Sequence, residues 1–482
     1  MGTMNGRARA SNWPPEGWPH RYQAIACDSR KVEPGTIFFA LPGTSVDGAQ
    51  YARDAVSRGA TTVVAERDLQ LDCPTVVVPD ARIALSKAAA EWFADQPANI
   101  AAVTGTAGKT SIVSFLRQIW AANGLQAAQI GTTGIVTPSR AESGALTTPD
   151  AIALHRMLAE LAGEGIAHAA MEASSHGLAQ HRLDGVRLAA AAFTNLGRDH
   201  LDYHPDIADY HRAKMRLFED LLPADAPAII NADDEWSDAT LAAVRQAGRK
   251  ALTVGRRGEF LSLKRVEHLR DHQQVEVVHE GATYRLTLPF AGDFQVSNAL
   301  VAAGMAIATG LGADRALAVI ENLTGASGRL ELIGRTGEGA SIYVDYAHKP
   351  DALRNVLEAV RPFTTGRVVI VFGCGGDRDA GKRPIMGEIA SRLADAVIVT
   401  DDNPRSEEPS AIRSAIMDGA PDAREIADRG DAIRTAIAEL RRGDTLIIAG
   451  KGHETGQTAK GQTTPFSDHD VACSALQQRS VA

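Results

Sequence analysis

Cysteine is scarce in this chain. Cys27, Cys73, Cys374 and Cys473 are its only four among 482 residues, and no two form a C-x-x-C pair. That scatter argues against a disulfide framework or a thiolate zinc site, and for a reducing, cytoplasmic setting. A basic block is also missing. With 50 Lys and Arg against 59 Asp and Glu the net charge is −9, so neither nucleic acid nor an anionic membrane is the implied partner. Any anionic ligand has to be held by local positive sites. There is no long hydrophobic run: the longest apolar-leaning stretch, 299–313, holds three glycines and is too short to span a bilayer. Residues 1–20 are rich in Pro, Trp and Gly without an apolar centre, so they are no signal peptide, and the first dozen read as a loose extension. What remains is ordinary globular material, 44% hydrophobic and 23% charged, with length for about three domains.

The stretch that organises the rest is Val103-Thr104-Gly105-Thr106-Ala107-Gly108-Lys109-Thr110-Ser111. An apolar run at 100–103 precedes it and an amphipathic run at 112–120 follows, which reads as strand, glycine loop, helix. Backbone N–H groups of such a loop point inward, and the helix N-terminus adds partial positive charge, so phosphate oxygens are favoured there. Lys109 would reach the terminal phosphates and the Thr110 hydroxyl would hold Mg²⁺. The extra glycine of the common nucleotide-loop pattern would fall at Val103, so this loop is a shortened form. A plain glycine turn is the competing reading, and Lys-Thr at the helix start weighs against it.

Around this loop the pattern alternates. Strand-like runs at 24–28, 36–40, 61–65 and 75–78, with helices at 50–58 and 83–92, make a first small α/β unit. A linker at 95–99 leads to strands at 100–103, 127–130, 167–171, 188–193 and 226–230 separated by helical stretches, which predicts a mostly parallel sheet. Residues 261–289 break the rhythm with three short runs that read as an antiparallel flap, and 293–310 returns to helix. A second boundary lies at 324–328. Beyond it strands at 341–344, 368–372, 396–400 and 445–449 alternate with helices at 351–360, 384–393, 409–417 and 432–440, a Rossmann-like unit. The expected fold is three α/β domains in series, 1–97, 98–327 and 328–482.

Chemistry-bearing residues gather at predicted strand ends, where open α/β sheets bind ligands. Glu172-Ala173-Ser174-Ser175-His176-Gly177 follows one strand, and Glu172 is placed to share Mg²⁺ with Thr110. Capping of the next helix is the plainer reading. Thr194 to His204 carries Arg198-Asp199-His200-Leu201-Asp202-Tyr203-His204, dense enough for a second metal position, with a polar loop and a helix cap as the alternative. Lys214 is one lysine on an amphipathic helix, although a lysine deprotonated by burial can react with CO₂ to give an anionic carbamate. In the last third, Asp345-Tyr346-Ala347-His348-Lys349-Pro350, Gly373-Cys374-Gly375-Gly376-Asp377-Arg378, Asp402-Asn403-Pro404-Arg405 and Gly450-Lys451-Gly452-His453-Glu454 stand at strand ends. The second has Arg378 where a dinucleotide fingerprint has its third glycine, which argues against an NAD site. Each alone could be a turn.

Taken together and in this order, these segments resemble the Mur ligases, ATP-dependent amide-forming enzymes of peptidoglycan precursor synthesis, over nearly the whole chain from Asp28-Ser29-Arg30 to Glu454. The resemblance implies an ATP loop at Gly105, Thr106, Ala107, Gly108, Lys109, Thr110 and Ser111, with Ala107 where the family usually has Asn. It implies further nucleotide contacts at Asn298, Arg329, Asp345 and His348. Thr110, Glu172, His200 and a carbamylated Lys214 would hold Mg²⁺, with Lys109, Lys214 and His200 catalytic. Ser29, Thr147, Thr148, Ser174, Gln180 and Arg182 match positions that hold a UDP-MurNAc-dipeptide. Gly43-Thr44-Ser45-Val46-Asp47-Gly48 departs from the commoner form, which has His after the glycine. Arg383, Asp402, Asn403, Pro404, Arg405, Gly450 and Glu454 match the amino-acid pocket, in the form of diaminopimelate-adding members. The physics agrees: a guanidinium grips a carboxylate with two parallel hydrogen bonds, and lysine lacks the second carboxylate of meso-diaminopimelate. The expected roles in chain order are UDP-substrate, ATP and amino-acid binding, in a cytoplasmic monomer. A lysine-adding or folate-extending ligase, a P-loop kinase and a non-catalytic UDP-sugar binder are the rivals. The last two leave either the outer domains or Lys109, Glu172 and Lys214 unexplained.

Overall fold

The computed structural model describes residues 13–19, 21–43, 46–144, 146–200, 203–269 and 272–481. The extension expected at 1–12, Thr44 and Ser45 of the departing segment, and Leu201 and Asp202 of the acidic loop lie outside the described residues.

Three sheets carry the molecule. The first is parallel throughout, in the order Ala24–Ala26, Thr36–Phe39, Ala60–Ala65, Thr75–Val77. The second has eleven strands: Ala282–Leu288, Gln273–His279, Leu261–His268, Lys250–Gly255, Pro227–Asn231, Leu188–Phe193, Asn99–Thr104, His168–Glu172, Ala127–Gly131, Gly134–Val136 and Ala141–Glu142. The third runs Glu331–Arg335, Ser341–Asp345, Thr445–Ala449, Val368–Phe372, Ala396–Val399, Arg424–Glu425. Among the described residues no helix is long and apolar enough to cross a membrane.

Side-chain alternation explains why the sheets are buried on both faces. In Asn99–Thr104, Ala101 and Val103 point into a core with Phe115, Leu116 and Trp120, while Ile100 and Ala102 point into another with Leu154, Leu158 and Phe218. The third sheet repeats this: Val368, Ile370 and Phe372 face one core, Val369 and Val371 the opposite one. A period of two apolar residues per face requires helices on both sides, and these are what the chain supplies.

The three strands between 261 and 288 are antiparallel to one another, but Leu261–His268 also pairs in parallel with Lys250–Gly255. They therefore extend the main sheet rather than hang from it as a separate flap. Features not expected from the sequence include the strand Lys250–Gly255, the antiparallel edge strand Glu331–Arg335, the hairpin Gly456–Ala459/Gln462–Pro465 and the closing helix Asp468–Val481.

Candidate functional site

The strand Asn99–Thr104 lies between Leu188–Phe193 and His168–Glu172, and all three end on the same side because their pairing is parallel. The glycine loop, Glu172 and the segment from Thr194 thereby converge. Two glycines are obligatory. Gly105 has φ +147° and a Cβ there would strike the Thr194 hydroxyl; Gly108 has φ +85° and a Cβ would strike the Asn298 amide oxygen. Close approach, not only turn geometry, selects glycine at both. Gly108 then caps the helix Lys109–Ala122, so the helix N-terminus opens onto the loop. Asn298, though 190 residues downstream, is brought against it.

The loop is braced from the neighbouring strand. Ala107 N–H donates to Asn195 Oδ1 at 2.9 Å, and Thr194 Oγ1 donates to the Ala107 carbonyl at 2.7 Å. Lys109 Nζ donates to the carbonyls of Gly105 and Thr106 at 2.8 and 2.9 Å. Lys214, 1% exposed, sends its Nζ to the same Gly105 carbonyl at 2.8 Å and stands 4.2 Å from the centre of the Tyr210 ring. Two amines thus meet at one oxygen. Burial lowers the Lys214 pKa well below the ordinary lysine value, the Lys109 charge lowers it further, and Asp199 only partly opposes this. Burial also lowers Lys109, against Glu172 and Asp199.

Glu172 is 1% exposed and accepts from Thr132 N–H at 2.8 Å and Thr132 Oγ1 at 3.2 Å. His200 faces Asp199, Nε2 to Oδ2 3.5 Å, and burial lowers its pKa to about 4 despite that carboxylate. Its imidazole is therefore neutral near pH 7, the form that can act as a ligand. Burial pushes the Asp199 carboxyl up, but Lys349, by charge and by hydrogen bond, and His200 outweigh this and leave it below the ordinary value. Lys349 comes from the third sheet's side and pairs with Asp199 of the central sheet's side. Arg329 reaches over in the same way, with its Nη2 3.5 Å from Thr110 Oγ1 and its guanidinium 4.6 Å from the Tyr346 ring centre. Desolvation pushes Asp345 up to about 6 although Arg329 opposes it, and burial lowers His348 to about 4. Asp345 accepts from Leu330 N–H at 2.6 Å and Ala347 N–H at 2.7 Å, and His348 donates to the Tyr346 carbonyl at 2.8 Å. Ser111, 4% exposed, sits in the first helical turn.

Among the described residues no three His, Cys, Asp or Glu side chains form a metal cage. Mg²⁺ does not need one, because it binds through one or two carboxylates together with phosphate oxygens and water. Buried Glu172, the Thr110 hydroxyl and a neutral His200 beside a phosphate loop fit that ion.

Next to Glu172 a second network assembles. Thr147 Oγ1 lies 3.0 Å from Thr132 Oγ1. Thr148 Oγ1 donates to the Glu172 carbonyl at 2.8 Å and accepts from Ser174 N–H and Oγ, both at 3.0 Å. Arg182 Nη1 donates to the Thr148 carbonyl and its Nη2 to Gln180 Oε1, both at 2.7 Å. Ser29 stands apart from this network, on the first sheet's side, with its hydroxyl bonded to Asp54.

The third sheet brings its loops together at one edge. Arg405 is half-buried, not buried, and its Nη1 donates to the Gly376 carbonyl at 2.7 Å. Arg383 is committed to both Glu407 oxygens at 2.8 Å. Asn403 Nδ2 donates to Glu454 Oε2 at 2.8 Å, and Asp402 Oδ1 accepts Asn403 N–H at 2.6 Å. Pro404 is buried and its carbonyl accepts Glu407 N–H at 3.0 Å. Gly450, on its strand end, donates its N–H to the Asp345 carbonyl at 3.1 Å, joining the ends of two neighbouring strands. The sequence reading missed Thr132, and it gave no role to Asn195, Lys349 and Lys451 within the segments it singled out. Thr132 and Asn195 each follow a strand of the central sheet directly, the signal that picked out Glu172.

Models of known families match three stretches: "Mur ligase family, catalytic domain" at 21–107, "Mur ligase middle domain" at 103–306 and "Mur ligase, glutamate ligase domain" at 328–452. A protein of Chelativorans sp. (strain BNC1), named UDP-N-acetylmuramoyl-L-alanyl-D-glutamate–2,6-diaminopimelate ligase, is 62% identical over 95% of each chain. One of the same name from Agrobacterium fabrum is 61% identical over 94% of this chain and 92% of its own. A solved structure of a ligase of that name superposes with a TM-score of 0.71 at 33% identity over 95% of each chain. A folylpolyglutamate synthase of Mycobacterium tuberculosis complexed with ADP shares the fold, with a TM-score of 0.63 at 18% identity over 76% of this chain and 91% of its own.

Proposed function

The chain belongs to the Mur ligase family, and on that premise we propose that it is the ATP-dependent ligase that adds meso-diaminopimelate to UDP-MurNAc-L-Ala-D-Glu in peptidoglycan precursor synthesis. The observation that carries this reading is the meeting of two sides of the molecule at the glycine loop. The phosphate loop with Lys109 and Lys214 lies on one side, and Arg329 and Lys349 reach over from the domain that holds Arg405 and Glu454.

A carboxylate does not condense with an amine unaided, because its oxygen is a poor leaving group. The D-Glu γ-carboxylate oxygen bonds to the γ-phosphorus of ATP as the β,γ-bridging bond breaks, giving an acyl phosphate and ADP. The amine nitrogen then adds to the acyl carbon, phosphate departs, and a proton leaves the nitrogen. Loop N–H groups and Lys109 spread phosphoryl charge, and the dry walls around them make that charge stabilisation stronger than in water. Thr148, Ser174, Gln180 and Arg182 would hold the dipeptide substrate beside Glu172, with Ser29 holding its nucleotide end. Asn298, Arg329, Asp345 and His348 would hold ATP.

The neutral Lys214 nitrogen can add to CO₂ and lose a proton, leaving a carbamate anion that would join Thr110, Glu172 and His200 in holding Mg²⁺. Bound there, the ion would neutralise phosphoryl oxygens. Substrate positioning does most of the work, so closure of the third domain about 324–328 belongs to the cycle. Consumption of ATP and of a nucleotide-activated sugar, together with four free cysteines, supports a cytoplasmic setting, and we take the unit to be a monomer. The test is phosphate release with ATP, Mg²⁺ and UDP-MurNAc-L-Ala-D-Glu, comparing meso-diaminopimelate with L-lysine. Turnover with diaminopimelate alone is expected. Turnover with lysine overturns the specificity, and release with neither overturns the ligase reading.

A further inference from the structure

Lys451 has no accessible surface, and its ammonium is surrounded by three oxygens: Gly456 O at 2.7 Å, Glu454 Oε2 at 2.8 Å and Asn403 Oδ1 at 3.2 Å. Three acceptors use all three of its protons. Asn403 Oδ1 also accepts Thr458 N–H at 2.9 Å, so the amide oxygen is doubly held and its Nδ2 is turned onto Glu454 Oε2. That oxygen takes two donors. Oε1 carries neither of these bonds, and the Glu454 side chain keeps 31% of its surface exposed.

The same centre holds the arginine. The hairpin Gly456–Ala459/Gln462–Pro465 grips the 402–405 loop: Arg405 N–H donates to Thr458 O at 3.0 Å, Lys460 N–H to Arg405 O at 2.6 Å, and Gln457 Nε2 to Asp402 O at 2.7 Å. Arg405 has φ +53°, a left-handed backbone that a non-glycine residue keeps only when its surroundings over-determine it. The hairpin supplies that constraint, and Lys451 is bonded to its first residue.

We infer that Lys451 is a positioning residue of the amino-acid pocket. By tying Glu454, Asn403 and the 456–465 hairpin to one buried ammonium, it sets the spacing between an ammonium-accepting carboxylate, Glu454, and a carboxylate-gripping guanidinium, Arg405. This rests on the function proposed above. A substrate carrying both groups is recognised only while that spacing holds, so the clamp bears on the choice of diaminopimelate over lysine.

The test is steady-state kinetics of the full chain with each substrate varied in turn. Lys451→Met is expected to raise KM for diaminopimelate at least about tenfold, the scale of one lost charge-assisted hydrogen-bond set. KM for ATP and for the UDP-dipeptide should stay within about twofold, and the preference for diaminopimelate over L-lysine should narrow. Loss of fold alone lowers the active fraction and kcat without that split, so equal KM changes, or a diaminopimelate KM within about twofold of wild type, overturn the inference. If Lys451→Met does not accumulate as soluble protein, Gln457→Leu on the partly exposed hairpin is read instead. A rise of about threefold in the diaminopimelate KM alone supports the clamp, and no rise overturns it. Wild-type chain without diaminopimelate-dependent phosphate release overturns the underlying function, an outcome separate from either variant's.

Discussion

Lys214 and Lys451 are almost equally withdrawn from water, 1% and 0% exposed, but their electrical surroundings are opposite. Lys214 has one carbonyl, an aromatic ring and a second lysine for neighbours, with the charge of Asp199 only partly opposing that lysine. Lys451 has a carboxylate, an amide oxygen and a carbonyl. Burial by itself therefore says little about what a lysine does. Burial with no bonded anion pushes an amine toward its neutral, nucleophilic form, whereas an amine paired with a carboxylate is a brace. In the function proposed above, the first kind stands beside the glycine loop where bonds would be made, and the second stands beside the 402–405 loop where the amino acid would be sorted.

The largest test of this contrast is loss of chemistry. Lys214→Ala is expected to lower kcat by about 10²–10³-fold, the range seen when one charge-stabilising group is removed from an active site, while leaving the diaminopimelate KM within about threefold. Added short carboxylic acids should restore part of the rate by supplying the missing anion, and no restoration removes the support for a carbamate. Next in size, Arg405→Ala should raise KM for diaminopimelate by about 10²-fold, as for a bidentate charge-assisted contact, with KM for ATP little changed. Equal effects on both would dissolve the distinction between a sorting region and a reacting one.

A smaller but sharper effect comes from making one substitution in both places. The folded-state pKa of Lys214 lies below its unfolded value. Between the two the unfolded chain holds the extra proton, so the stability of the wild type rises with pH across that window. Lys214→Met removes this penalty and should melt about 2–4 °C higher near pH 7 in CO₂-free buffer, with the gain shrinking as pH approaches 10. Lys451→Met leaves Glu454 and Asn403 without their shared donor and should melt lower at both pH values. Thermal melts with the same sign for both variants would break the comparison.

The two regions also differed in how far the sequence could be read. The phosphate loop, Glu172 and the flanking strands follow from local pattern, because period-two burial and glycines forced by close approach leave marks within a few residues. Asn298 beside Gly108 and the pairing of Lys349 with Asp199 depend on residues 150 or more positions apart, which no window registers. The hairpin 456–465 was invisible for another reason. Its strands, GQTA and QTTP, bury no apolar face, so the alternation that reveals a strand is absent, and its stability comes from hydrogen bonds to the 402–405 loop. The helix Asp468–Val481 was likewise missed because its sequence is largely polar. It is anchored by the fully buried Arg429–Asp468 pair, Nε to Oδ1 2.6 Å, another contact between distant residues.

The smallest expected effect concerns Ala107, where the family resemblance leads one to expect Asn. If the nucleotide region works through its backbone and the amino-acid region through side chains, Ala107 should be nearly indifferent to substitution. Its N–H is held by Asn195 Oδ1 and its carbonyl by Thr194 Oγ1, while its own side chain is exposed. The loop shape is thus imposed from the neighbouring strand end and does not need an amide at 107. Ala107→Asn should change KM for ATP by less than about threefold, or about 0.6 kcal/mol. Asn195→Ala, which removes the brace, should change it more. A tenfold gain in ATP affinity on Ala107→Asn would mean that side chains, not backbone, define this site as well, and the contrast between the two regions would fail at its weakest point.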